Sequence, residues 1–227
     1  MRFTWRTEWP LLLVVFAMFL VAAATWPAAP ARFPIHWNLQ GVDGYGSRFQ
    51  GVFLVPILTL GVYVLFRLLP RIDPGRANYA QFAGIYTAFR LVVLLFLAAT
   101  YAMMQLVAHG YELNVPTIVI LMAGALLIFL GNFMGKIRPN WFCGIRTPWT
   151  LSSKLSWDRT HRFGGWVCVV SGVLVMASVA EPPRLTVAIC LADTLAMVTA
   201  LYIYSYLVWR SDPDKQPAVG TMPAGPI

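Results

Sequence analysis

Any proton-transfer or metal chemistry in this 227-residue chain would have to come from very few side chains. His36, His161 and Asp193 are the residues placed to act as a base, and His36 with Asp43 could titrate together or share an ion. Two ligands are too few for a metal site, which takes three or four from the protein. The three cysteines, Cys143, Cys168 and Cys190, are odd in number and lack C-x-x-C spacing, so neither a disulfide framework nor a zinc site is expected. There is no H-E-x-x-H, G-x-S-x-G, phosphate-binding loop or dinucleotide fingerprint. Gly41-Val42-Asp43-Gly44 lacks the second acid and the closing Glu of a calcium loop. The residue types predict no enzyme, no cofactor and no metal.

The elements that must carry these residues are membrane spans. The chain is 59% hydrophobic and 11% charged, where soluble domains are about a quarter charged. A spanning helix needs about 20 predominantly apolar residues, and six stretches qualify: about 9–26, 51–69, 91–108, 115–134, 166–179 and 185–209, with the third helix beginning nearer Tyr79. The fold class expected is all-α, a polytopic membrane protein with six helices and an amphipathic interfacial helix on the cytoplasmic side. The first span follows a short basic start and contains Ala22-Ala23-Ala24, which resembles a signal-peptide cleavage site. Bracketed by Trp9 and Trp26 and followed by five further spans, it is read as a retained helix.

The net charge of +8 would suit nucleic acid, but the bases lie in loops between apolar spans, so direct nucleic-acid binding is not expected. Fourteen of the 17 Lys and Arg residues fall at the N-terminus, in 67–90, in 135–162 and in the tail, against Arg32, Arg48 and Arg184 on the other side. The positive-inside bias therefore predicts both termini in the cytoplasm of a bacterial inner membrane, in contact with lipid. Four segments are expected: a two-helix part with an outer loop (1–78), a linking helix (79–114), a second membrane part (115–209) and a disordered tail (210–227).

Residues 131–165, GNFMGKIRPNWFCGIRTPWTLSSKLSWDRTHRFGG, hold six of the bases and three Trp between two apolar spans. Gly131 and Gly135 would allow close helix approach. Pro139 and Pro148 push the residues before them towards extended backbone. Thr150 is the expected N-cap. The helix after it would carry Ser153, Trp157 and His161 on one stripe, with Asp158 and Arg162 paired, until Gly164-Gly165 breaks it. Leu151 and Leu155 make it amphipathic, so it is expected to lie on the inner surface. Basic residues and Trp at an interface are commonly anchors, which is the plain alternative. In the sixth span, an intramembrane carboxylate at Asp193 is costly enough to mark either function or a bundle-facing pair. Thr194, Thr199 and Asn132 are its expected partners.

GNFMGKIRPNWFCGIRTPWTLSS followed by W-x-x-T-H-R-x-G-G closely resembles the SdpI family, over about residues 121–209. Upstream, Pro34, His36, Asn38, Gly41 and Asp43 resemble the P-x-H-x-N-x-x-G motif of a membrane family of unknown function often fused to SdpI, with Asp43 one residue closer than that pattern has it. The resemblance implies immunity, protection from a secreted killing peptide by binding at the membrane, with Arg146, Thr147, Trp149, Trp157, Thr160 and His161 as the inner site. It also implies an alternative: a receptor holding a soluble transcriptional repressor at the cytoplasmic face. A third reading, a small-solute transporter centred on Asp193, has no internal repeat to support it. Around His36, Asn38, Gly41 and Asp43 the outer loop is either a structural turn or an aromatic surface for an apolar peptide. Small residues on helix faces leave homo-oligomerisation open.

Overall fold

The computed structural model describes residues 3–38 and 40–216. Six long helices appear where apolar stretches were expected: α1 (Trp5–Thr25), α2 (Arg48–Ile72), α3 (Ala83–Ala108), α4 (Val115–Met134), α6 (Lys154–Ala177) and α7 (Pro183–Arg210). Each is long and apolar enough to cross a membrane. A short helix, α5 (Pro148–Ser152), and three 3₁₀ segments, Trp26–Ala28, Arg76–Phe82 and Ser178–Ala180, complete the helical set of the described residues. The chain is a multi-pass membrane protein.

One departure is the outer loop, which forms an antiparallel hairpin of β1 (Arg32–Asn38) and β2 (Gly41–Ser47). Phe33, Ile35 and Trp37 alternate with polar or small residues, the period of two that a strand requires. Gly41, at φ 123°, makes the turn that a side chain would strain.

Two compact units divide the chain, residues 2–68 with 87–122, and residues 69–86 with 123–227. In the unit holding α1, two apolar clusters form. Met18, Ala22, Phe33, Val52, Tyr101 and Met104 make one, which ties the hairpin down through Phe33. Leu11, Val15, Tyr63 and Leu94 make the other. Below them Glu8, 5% exposed, binds three partners. Arg90 donates to both its oxygens at 2.8 and 2.9 Å, Arg67 at 2.9 Å and Tyr63 Oη at 2.8 Å. Arg90 is fully buried, so it is a structural ion-pair partner rather than one of the loop bases it was counted among.

In the other unit, α4 and α6 approach at two glycine pairs. A Cβ at Gly131 would lie 2.6 Å from the Gly165 carbonyl oxygen, and one at Gly124 would lie 2.7 Å from that of Gly172. Lipid removes most hydrophobic drive between spanning helices, so association rests on close packing of small residues. Gly131 and Gly135, expected to allow close helix approach, both face α6, the Cβ position of Gly135 lying 3.5 Å from Arg162 Cα.

The tail also differs from expectation at its start. Ser153 donates to Asp212, Gln216 N–H donates to the Ser152 carbonyl, and Trp209 Nε1 donates to Gln216 O, so residues 211–216 are held. The rest of the segment expected to be disordered, 217–227, lies outside the described residues.

Candidate functional site

The basic loop after α4 is non-helical, so its backbone needs side-chain partners. Asn140, 2% exposed, supplies them. Its Oδ1 accepts from Phe142 N–H at 2.9 Å and Cys143 N–H at 2.6 Å, while Nδ2 donates to the carbonyls of Arg138 and Cys143. Asp73, from the turn after α2, grips the same loop. It accepts from Trp141 N–H at 3.0 Å and from Tyr79 Oη at 2.8 Å, and is 1% exposed. Tyr79, Phe82 and Tyr86 pack beneath, with Ile137 and Cys143 against them. Burial there pushes the Cys143 thiol up to about 11.

The chain then turns at Gly144, whose φ is 106° and where a Cβ would stand 2.3 Å from His161 Nε2. That approach lets Ile145 N–H donate to His161 Nε2 at 3.0 Å. With Nε2 accepting, the ring proton sits on Nδ1 and is donated to the Trp157 carbonyl at 2.8 Å. The imidazole is therefore neutral here. It stacks on the Trp157 indole, centroids 4.0 Å apart at 20°, and Trp157 Nε1 donates to Ile137 O at 2.9 Å.

Thr147 is the N-cap of α5, in place of the expected Thr150, because Pro148 suits the first helical position and Thr150 completes a reciprocal capping box. Ser153 caps a second start, α6. The expected break at Gly164-Gly165 does not occur: α6 runs unbroken to Ala177, with Gly165 and Gly172 in close contact with α4 and Gly164 against Ile145 and Leu201. Asp158 pairs with Lys154 at 2.6 Å rather than with Arg162. Thr147 Oγ1 and Ser156 Oγ bond α7 at Ser205, and Trp149 rests on Tyr202 and Tyr206, centroids 4.6 and 5.1 Å away.

The six expected inner residues thus come together, yet they do not share a surface. Trp157, Thr160 and His161 are at most 1% exposed. Expected as contacts, Trp157 and His161 instead bond the loop at Ile137 and Ile145, while the buried Thr160 hydroxyl has no hydrogen-bond partner among the described residues. Thr147 is buried too, Trp149 is half-buried, and Arg146 is exposed, donating to the Trp141 carbonyl at 2.7 Å. The exposed face holds Arg146 with Trp141 (45% exposed) and Phe142 (37%). Asp73 and Asn140 were missed. Short polar residues beside Pro or Gly, in Asp73-Pro74-Gly75 and Pro139-Asn140, were the available signal.

In the hairpin, His36 Nδ1 lies 2.6 Å from Asp43 Oδ1, the imidazole largely open to solvent and the carboxylate about a third exposed. Asn38 Oδ1 accepts from Gln40 N–H at 2.8 Å beside Gly41, a turn-making role. Asp193 accepts from Ser171 Oγ on α6 at 3.0 Å, not from the partners expected for it. Thr194 bonds the Cys190 carbonyl and Asn132 the Ile128 carbonyl, each on its own helix. Among the described residues no three His, Cys, Asp or Glu side chains gather to hold an ion.

These features coincide with what the chain resembles. It is 29% identical over 164 residues to the immunity protein SdpI of Bacillus subtilis (strain 168), covering 72% of this chain and 77% of that protein. No solved structure matches it. Residues 13–60, from α1 through the hairpin into α2, match a domain of unknown function, DUF1648. The inner loop with α5, α6 and most of α7, residues 136–208, matches the SdpI/YfhL protein family, so the chain carries a segment similar to each of these two families.

Proposed function

We propose that this protein confers immunity, protecting the membrane that holds it from a secreted antimicrobial peptide by binding that peptide at the membrane. The observation that carries the reading is the similarity to an immunity protein over most of both chains. It is supported by an inner loop whose backbone is satisfied by Asp73, Asn140 and His161 rather than left to water. A plain connector needs no such framework. Arg146 and Trp149, with Trp141 and Phe142, form the contact face of that loop, and Thr147, Trp157 and His161 position it. The basic loops face the cytoplasm and the hairpin faces outward, by the charge bias.

A killing assay tests this. A sensitive bacterium expresses the wild type, Arg146→Ala or an empty vector at matched membrane levels and meets the secreted killing peptide associated with the SdpI family. Survival with wild type and at least tenfold weaker protection by Arg146→Ala are expected. Killing of cells that carry well-folded wild type would rule out immunity to that peptide.

A further inference from the structure

At the hairpin end of the α1-containing unit, β2 and the α3–α4 connection enclose an open cleft of about 500 Å³. Trp37 and Val42 from the hairpin, Val107 from the end of α3, and Tyr111 and Leu113 from the connection give it apolar walls, and among the described residues Glu112 is the one charged residue lining it. The protein itself leaves Tyr111 62% exposed. Residues 111–114 form no helix or strand, and Val115 N–H closes a turn on the Leu113 carbonyl at 2.9 Å. Among the described residues, the Glu112 and Leu113 amides have no hydrogen-bond partner, and Glu112 has no ion pair. The hairpin has two strands only, so each keeps one unpaired edge. Apolar walls, open backbone donors and a lone carboxylate are complementary to an extended backbone carrying apolar side chains and a cation.

We propose that this cleft is a docking site for an extended, apolar segment of a cationic peptide, which lies between the hairpin and residues 111–114 with a Lys or Arg against Glu112. Only the source of the peptide, the secreted antimicrobial agent, rests on the immunity reading. The cleft itself does not. It would give the DUF1648 segment the role of first capture on the outer side, ahead of the inner loop.

The test uses full-length protein in lipid nanodiscs with a photo-cross-linking residue in place of Leu113. The probes are two fluorescent ten-residue peptides, each alternating Leu and Val with either two Lys or two Glu. Saturable binding and cross-linking of the Lys probe, at least tenfold weaker for the Glu probe and for Glu112→Lys protein, is the expected result. Glu112 is exposed, so its replacement leaves the fold intact, which gel filtration checks. If neither probe binds saturably, or Glu112→Lys and Tyr111→Ala bind the Lys probe as wild type does, the proposal is overturned. The killing assay separates the two readings. Loss of protection in wild type sinks immunity while probe binding can stand. Full protection by Glu112→Lys would instead remove the cleft from the immunity pathway.

Discussion

His161 Nε2 accepts the backbone N–H of Ile145 at 3.0 Å, which ties the basic loop to the first turns of α6 through a side chain with no exposure to solvent. Losing the ring leaves the Ile145 amide unsatisfied, removes the stack on Trp157 and opens a cavity. These terms together make His161→Ala costly by about 2–4 kcal/mol. Gly144→Ala should act on the same contact from the other side, through its positive φ and the short approach to Nε2. Both variants should lower the thermal midpoint in detergent and open the 137–147 loop to proteolysis. Arg146→Ala should do neither.

Glu8 and Arg90 make a second long-range lock. Glu8→Ala leaves a fully buried guanidinium with no carboxylate, which costs about 3–5 kcal/mol. The double variant Glu8→Ala/Arg90→Leu removes both charges and should recover most of that loss. Thermal unfolding followed by Trp fluorescence, read as a double-mutant cycle, measures the recovery. Equal destabilisation of single and double variants would count against an ion-pair origin.

The α4–α6 crossing predicts a steric effect. Gly165→Leu places atoms where the Gly131 carbonyl stands, 2.8 Å from the Cβ position alone. Overpacking of this kind costs about 1–3 kcal/mol. Gly84, with open space around its Cβ position, serves as control. Gly84→Ala should leave the thermal midpoint unchanged or slightly raised, while Gly165→Leu lowers it.

Cys143 gives a pH test of the loop's burial. A thiol at about 11 is protonated through neutral pH, so its thiolate, the reactive form, grows tenfold per unit as pH rises. At pH 8 the thiolate fraction is about 0.1%, against roughly a quarter for an ordinary thiol near 8.5. In a Cys168→Ala/Cys190→Ala background, iodoacetamide should therefore modify Cys143 at least about tenfold more slowly than a free thiol, the greater nucleophilicity of a high-pKa thiolate offsetting part of the loss. Tyr79→Ala, which thins the packing over it, should speed the reaction.

The sequence by itself determined the spans, because lipid demands about 20 apolar residues per crossing and that requirement is local. It also singled out the 131–165 stretch, whose polarity has no place inside a bilayer. It did not show what holds that stretch in shape. Asp73 and Trp141 lie 68 positions apart and Thr147 and Ser205 lie 58 apart, so only the tertiary structure brings them together. The same holds for Asp193, where residue type suggested a polar partner but helix packing chose Ser171. Gly164-Gly165 shows the limit most plainly. Glycine weakens a helix read alone, yet here α6 is continuous, and the absent side chains admit α4 at Gly165 and Ile145 with Leu201 at Gly164. Trp157, Thr160 and His161 were legible as special from their types and order. That they face inward, leaving Arg146 and Trp141 outside, depends on which side of α6 its neighbours cover.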